Sequence, residues 1–213
     1  DVAPVYGWGV SETVLGKALK EGGLRNKVLI ASKGGLLWDE KHQTRNNLSK
    51  DSLLKEIDDT LTRLQTDHVD IYQMHWPDPN VPLEETAEAL NIMKKAGKIR
   101  YVGLSNFSQA DVEKMMEYIS VDCQQGLYNM LERNPGSYHG IPLEYRTEKE
   151  VFPNVKKYGQ AFLPYSPLFQ GLLAGRFLDG LTISARDIRN ENPKLTGEAF
   201  KVYQDGARKL KAF

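Results

Sequence analysis

The fold this sequence predicts is a parallel α/β barrel, and three observations lead to it. Short apolar runs alternate with amphipathic helical stretches along the whole chain, a pattern that requires a parallel sheet with helices outside it. Chemically interesting residues follow or end each run in turn: Lys33, His75, Ser105-Asn106, Gln125 and Tyr165-Ser166. In a (β/α)8 TIM barrel all of these would ring one mouth, at the C-terminal ends of the strands. The glycines argue against the competing doubly wound sheet. Gly7-Trp-Gly9 opens like a dinucleotide fingerprint, but Glu12 stands where its third glycine belongs and no strand precedes it.

Each element has its own signal. After a Gly-punctuated loop over residues 1–10, Ser11 is a candidate N-cap with Glu12 in the first turn. The helix carrying Val14, Leu15, Ala18 and Leu19 stops near Gly22-Gly23. Val28 to Ser32 reads as a strand, and residues 36–47 as a polar loop. Leu53, Leu54, Ile57, Leu61 and Leu64 share one face of a helix from about Ser49. Val69 to Met74 is a short apolar run ended by Pro77 and Pro79, hence a buried strand with His75 at its lip. Pro82 opens the next helix, where no donor is needed, and Gly97 closes it. Tyr101 to Leu104 is a strand, Ser108 caps a helix reaching Ile119, and Val121 to Gln125 is another strand. Residues 130–147 form a long Pro/Gly-bearing loop, 148–158 a helix and Ala161 to Tyr165 a strand. Leu168 to Gly175 is a glycine-spaced turn, 178–197 is irregular, and a last helix runs from about Gly197.

Composition narrows the function classes. The 213 residues are 40% hydrophobic and 26% charged, with no net charge, as in an ordinary soluble globular domain. That balance gives no sign of nucleic-acid or membrane partners. No apolar run nears the ~20 residues of a membrane span, and no basic stretch followed by an apolar one appears at the start, so a signal peptide is not expected. The lone Cys123 excludes an internal disulfide framework and fits a reducing cytoplasm. His42, His68, His75 and His139 show no metal-site spacing.

Five motifs then stand in order: Asp1-Val-Ala-Pro-Val-Tyr6-Gly-Trp-Gly-Val-Ser-Glu12; Ala31-Ser-Lys33; Tyr72-Gln-Met-His75-Trp-Pro; Gly103-Leu-Ser-Asn-Phe-Ser108; and Tyr165-Ser-Pro-Leu168 with Gly171-Leu-Leu-Ala-Gly175. With these the chain resembles the aldo-keto reductases, (β/α)8 barrels that reduce carbonyls with NADPH, over essentially its whole length. The His75-Trp-Pro-Asp-Pro and Arg186-Asp-Ile-Arg189 stretches look most like the bacterial general-stress-type members.

The resemblance implies a catalytic tetrad of Asp1, Tyr6, Lys33 and His75. It implies that Ser105, Asn106 and Gln125 hold the nicotinamide end of NADPH, whose ring stacks on Tyr165. The pyrophosphate would lie along Ser166, Leu168, Gln170, Gly171 and Leu172, and Trp8 and Trp76 would line the substrate side. Elementary chemistry runs parallel to this. Carbonyl reduction needs a hydride donor and an acid for the developing alkoxide. A phenol is a weak acid, and a neighbouring cation such as Lys33 favours its anion. Asp1 would keep that buried ammonium charged, and His75 can donate to the carbonyl oxygen. Serine and amide side chains suit a carboxamide, and glycines let backbone N–H groups approach phosphate.

Taken singly, each residue also has an ordinary structural reading: a core tyrosine, a surface lysine, turn glycines, tryptophans packed under loops. Cys123 reads as core, and His42, His68 and His139 receive no role. Eight strands close such a barrel, whereas five whole ones are readable here, so the expectation is a single truncated barrel domain over residues 1–213, lacking the first, most of the second and the last strand. The expected partner is a small carbonyl compound. The competing function is a nicotinamide-binding, redox-sensing module of the potassium-channel β-subunit type. A barrel hydrolase is disfavoured, because Asp1 has no acidic companion at a strand end.

Overall fold

The computed structural model describes residues 1–178, 183–185 and 187–212. Helix α1 (Val10–Glu21) is followed by strand β1 (Ala31–Gly34) and a hairpin of β2 (Leu36–Trp38) with β3 (Thr44–Asn46). Then come α2 (Lys50–Leu64), β4 (Val69–Met74), α3 (Leu83–Lys95), β5 (Ile99–Ser105), α4 (Gln109–Met115) and β6 (Cys123–Leu127). A two-residue hairpin, β7 (Ser137–Tyr138) with β8 (Ile141–Pro142), precedes α5 (Phe152–Tyr158), β9 (Ala161–Tyr165) and α6 (Gly197–Lys211).

Five strands make one sheet in the order β1-β4-β5-β6-β9, every neighbouring pair parallel. Each strand pairs with the next strand of the main alternation. A doubly wound sheet reverses direction at a switch point, and none occurs among these strands. The arrangement is an arc of a (β/α)8 barrel, as the alternation predicts. Apolar side chains of α2 (Leu53, Ile57, Leu64) and α3 (Ala87, Leu90, Met93) bury against Val69, Tyr72, Met74, Ile99 and Val102. Lys33, Gln73, Gly103 and Cys123 align in register across four adjacent strands. The Cys123 thiol there is pushed up to about 12, chiefly by burial, so it is an inert core group.

Several boundaries differ from expectation, each for a reason. Helix α1 is capped by Gly9, at φ 91°, and not by Ser11. The first sheet strand begins at Ala31 and not Val28, because the Asp70 carboxylate takes the Ile30 N–H that a neighbouring strand would otherwise bond. Leu29 before it is 74% exposed. Asp122 acts similarly on β6: its carboxylate accepts the Val102 N–H, and the strand starts at Cys123 and runs on to Leu127. The polar stretch 36–47 holds the β2–β3 hairpin, and the 130–147 loop holds the β7–β8 hairpin. The helix over 148–158 opens as a π-helical turn, Thr147–Val151. Arg186 and part of the 178–197 loop lie outside the described residues.

Candidate active site

Lys33 is the centre of the site. It sits inside β1, fully buried, one residue earlier in the barrel wall than a strand-end position. Its ammonium donates to the Asp1 carboxylate at 2.7 Å, to the Tyr6 hydroxyl at 3.2 Å and to the Val2 carbonyl at 3.2 Å. All three donors of the ammonium are thus used. Burial lowers the Lys33 pKa from its ordinary value, opposed by Tyr6 and Glu12. The segment carrying Asp1 runs beside β1, its Val2 N–H bonded to the Ala31 carbonyl. A glycine-rich turn, with Gly7 and Trp8 both at positive φ, then brings Tyr6 over the strand.

His75 leaves the end of β4, its N–H bonded to the Gly34 carbonyl on β1. Its ring meets Tyr6 edge-on, with centroids 5.7 Å apart. Burial pushes the imidazole down to about 3, and the Lys33 charge acts the same way. His75 is therefore neutral at physiological pH and can donate one hydrogen bond without carrying charge. The structure brings Asp1, Tyr6, Lys33 and His75 together at one end of the sheet. An open groove of about 790 Å³ at the opposite rim, around Arg25, Asp58, Gln65 and His68, contains none of the predicted site residues.

Next to His75 on the neighbouring strand end stands Asn106, at φ 65°. Its amide nitrogen donates to the His75 carbonyl and to Ser105 Oγ. Its oxygen accepts from Tyr165 at 2.9 Å and from Tyr145 at 3.2 Å. Gln125, buried on β6, takes part in no side-chain hydrogen bond among the described residues, which leaves both ends of its amide open. Tyr165 closes β9, and Tyr138 packs edge-on against it at 5.0 Å.

Beyond Tyr165 the backbone turns through left-handed conformations at Ser166, Phe169, Gln170 and Gly171. Within this turn the Phe169, Gly171 and Leu172 N–H groups already bond the Ser166, Leu168 and Phe169 carbonyls. Gly171 has φ 106°, which disfavours any side chain, and a Cβ there would also lie 3.3 Å from Phe177. Leu168 is exposed, whereas Leu172 is wholly buried with Phe169 and Phe177. The Gln170 amide meets His139 Nε2 at 2.6 Å and accepts from Asn192 at 3.0 Å.

The two tryptophans lie in different settings. Trp8 is 39% exposed and packs against His42 and Trp38. Trp76 is half-buried and leans on the cluster of Leu127, Leu143, Tyr145 and Val151. Sequence reasoning missed Trp38, His42, Tyr138, His139, Tyr145, Gln73 and Glu12. Only two of these had a usable signal. Gln73 is two residues before His75 on one strand, so it shares its face. Glu12 lies in the Tyr6 motif; it is fully buried and bonds Ser32 Oγ and Arg63 Nε, each at 2.6 Å. The loop residues come together only through tertiary packing.

Comparison with known proteins identifies the family and the fold. Residues 1–213 match the model of a family described as the aldo/keto reductase family. The chain is 38% identical over 210 residues to the aldo-keto reductase YhdN of Bacillus subtilis, covering 99% of this chain and 60% of that protein. It is 34% identical over 187 residues to the NADH-specific methylglyoxal reductase of Escherichia coli, covering 82% of this chain and 53% of that one. The glycerol dehydrogenase AKR11B4 of Gluconobacter oxydans superposes with a TM-score of 0.83 at 32% identity, over 99% of this chain and 61% of that one. The chain therefore spans little more than half the length of these relatives.

Proposed function

Because the chain belongs to the aldo/keto reductase family, we propose that it reduces aldehydes and ketones to alcohols with a nicotinamide cofactor, NADPH in our reading. The observation that carries this is the Lys33 ammonium, buried in the barrel wall and held between the Asp1 carboxylate and the Tyr6 hydroxyl.

The residues fit a nicotinamide. Gln125 offers an open amide to a carboxamide, and Asn106 would trade one of its protein partners for it. Tyr165 offers an aromatic wall, and in our reading a pyrophosphate lies along Ser166, Leu168, Gln170, Gly171 and Leu172, where the Gly171 and Leu172 N–H groups would exchange their bonds within the turn for it. When bound, a reduced nicotinamide supplies the hydride that the carbonyl carbon accepts. The chain's own residues manage the proton and the charge. Tyr6 donates its hydroxyl proton to the carbonyl oxygen as the alcohol forms. Lys33 stabilises the phenolate left behind, and Asp1 keeps the Lys33 ammonium charged and oriented inside the wall. Neutral His75 donates to the same carbonyl oxygen and places it between itself and Tyr6. Trp8 and Trp76 bound the substrate side. A buried, unpaired thiol at Cys123 suits work in a reducing cytoplasm. No helix among the described residues is long and apolar enough to cross a membrane.

The test is oxidation of NADPH and of NADH by the intact protein across a panel of small aldehydes and ketones, with Tyr6→Phe beside it. Turnover lost by at least about 10²-fold in Tyr6→Phe, with cofactor binding retained, supports the reading. Cofactor binding without turnover on any carbonyl overturns it in favour of a redox-sensing binding module.

A further inference from the structure

We propose that Gln73 is a positioning residue for the Lys33–Tyr6 pair, acting through the Asp1 carboxylate; this rests on the catalytic reading above. Gln73 lies on β4, fully buried, and its register partner on β1 is Lys33. Its Nε2 donates to Asp1 Oδ1 at 3.1 Å, while Asp1 Oδ2 receives the Lys33 ammonium at 2.7 Å. The carboxylate is therefore divided between two donors on adjacent strands. Among the described residues the Gln73 amide is the side-chain donor to its second oxygen, and so fixes it. A carboxylate free to rotate would carry the ammonium with it, away from Tyr6.

Two further observations bear on this glutamine, the first on its length and the second on its amide. The wall is opened to admit its side chain: Gly103 is the register partner on β5, and a Cβ there would lie 2.7 Å from Gln73 Cγ and 2.7 Å from Cys123 Sγ. The amide oxygen of Gln73 is buried without a hydrogen-bond partner. Methionine or leucine would fill similar space without burying an amide oxygen, so packing alone does not account for an amide here. Reversing the amide would aim its oxygen at the Asp1 carboxylate, which only a donor can face.

The experiment compares intact wild type, Tyr6→Phe, Gln73→Met and Gln73→Glu by kcat and KM across pH, with thermal melts of each. Gln73→Met keeps the volume and removes the donor. It should lower kcat about 10-fold at every pH, with substrate and cofactor KM within about twofold of wild type. The carboxyl introduced by Gln73→Glu can donate the same bond only when protonated. Its kcat should therefore rise toward wild type as pH falls, an acid-side recovery that Gln73→Met lacks. Wild-type kcat in Gln73→Met would overturn the inference. So would losses in the two variants that are equal at all pH and track their melting temperatures, as a purely structural role requires. If wild type turned over no carbonyl, or Tyr6→Phe kept full turnover, the catalytic reading would fall and this inference with it. Loss in Tyr6→Phe beside an unaffected Gln73→Met would remove the inference alone.

Discussion

Trp8 and His42 lie face to face, their ring centroids 4.3 Å apart and their planes within 2° of parallel. Trp8 follows the Tyr6 turn, and His42 sits at the tip of the β2–β3 hairpin, so the stack joins two separate loops at the mouth. Trp38 adds a third ring at 5.9 Å from Trp8. An aromatic pair of this kind contributes roughly 0.5–1.5 kcal/mol beyond its buried area. In His42→Ala the hairpin should open more readily, seen as faster amide exchange over residues 36–46. The KM for bulky aromatic carbonyls should rise a few-fold, while that for small aldehydes stays put.

Glu56 gives a stability prediction with a definite sign. It is buried on α2, accepts from the Gly35 N–H and Ser52, and burial raises its pKa from 4.5 to about 7. Between those values the folded protein holds the proton and the unfolded chain has lost it. Stability therefore falls as pH rises from 4.5 to about 7. Glu56→Gln keeps an acceptor for Gly35 and removes that dependence. It should be more stable than wild type at pH ~8, by up to roughly 3 kcal/mol, and closer to it at pH ~5, read from urea midpoints.

His75 works in the opposite direction. Its pKa falls from 6.5 to about 3, so the unfolded chain binds a proton in that window and the folded protein does not. Its contribution is complete above pH 6.5 and is lost as pH falls toward 3. In His75→Gln the acid-side loss of stability should flatten. The pH profile of kcat/KM should show no limb near 6.5 in wild type, because the imidazole does not titrate there.

Gly16 reverses a general rule. Alanine in a helix interior is ordinarily favoured over glycine by about 1 kcal/mol. A Cβ at Gly16, however, would lie 2.5 Å from the Arg63 carbonyl oxygen and 2.7 Å from the Leu64 backbone, where α1 crosses α2. Gly16→Ala should destabilise by roughly 1–3 kcal/mol. A Gly22→Ala control, at the helix end, meets mainly the movable Leu24 side chain and should lose less in the same urea titration.

The architecture was legible because it is written in repeated, local signals. The face of Leu53, Ile57 and Leu64 and the run Val69 to Met74 each announce their element without reference to the rest. Strand ends were less legible. Asp70 and Asp122 intercept backbone donors across a strand, and no periodicity marks a carboxylate that does so. Among the candidate site residues, Asp1, Tyr6, Lys33 and His75 stood in recognisable motifs. Glu12 and Gln73 stood in the same motifs, but only the fold shows that they are buried beside Lys33. The contacts of Tyr138 with Tyr165, and of His139 with Gln170, join positions about thirty residues apart through a loop whose path the sequence does not specify.

The strictly sequential order of the five-stranded sheet bears on how the chain reaches its structure. Every long-range strand pairing reaches back only to the preceding sheet strand, across one helix or one loop-and-helix segment. Loop closure is therefore taken in small steps, and contact order stays low for a parallel sheet. Growth can proceed in the direction of synthesis, each new strand laid on a finished edge as it leaves the ribosome. The Lys33–Asp1 pair would be set before the left-handed turn after Tyr165. Ordering of the proton-handling residues and of the proposed phosphate cradle should then separate in time when the chain is refolded and followed by pulsed hydrogen exchange.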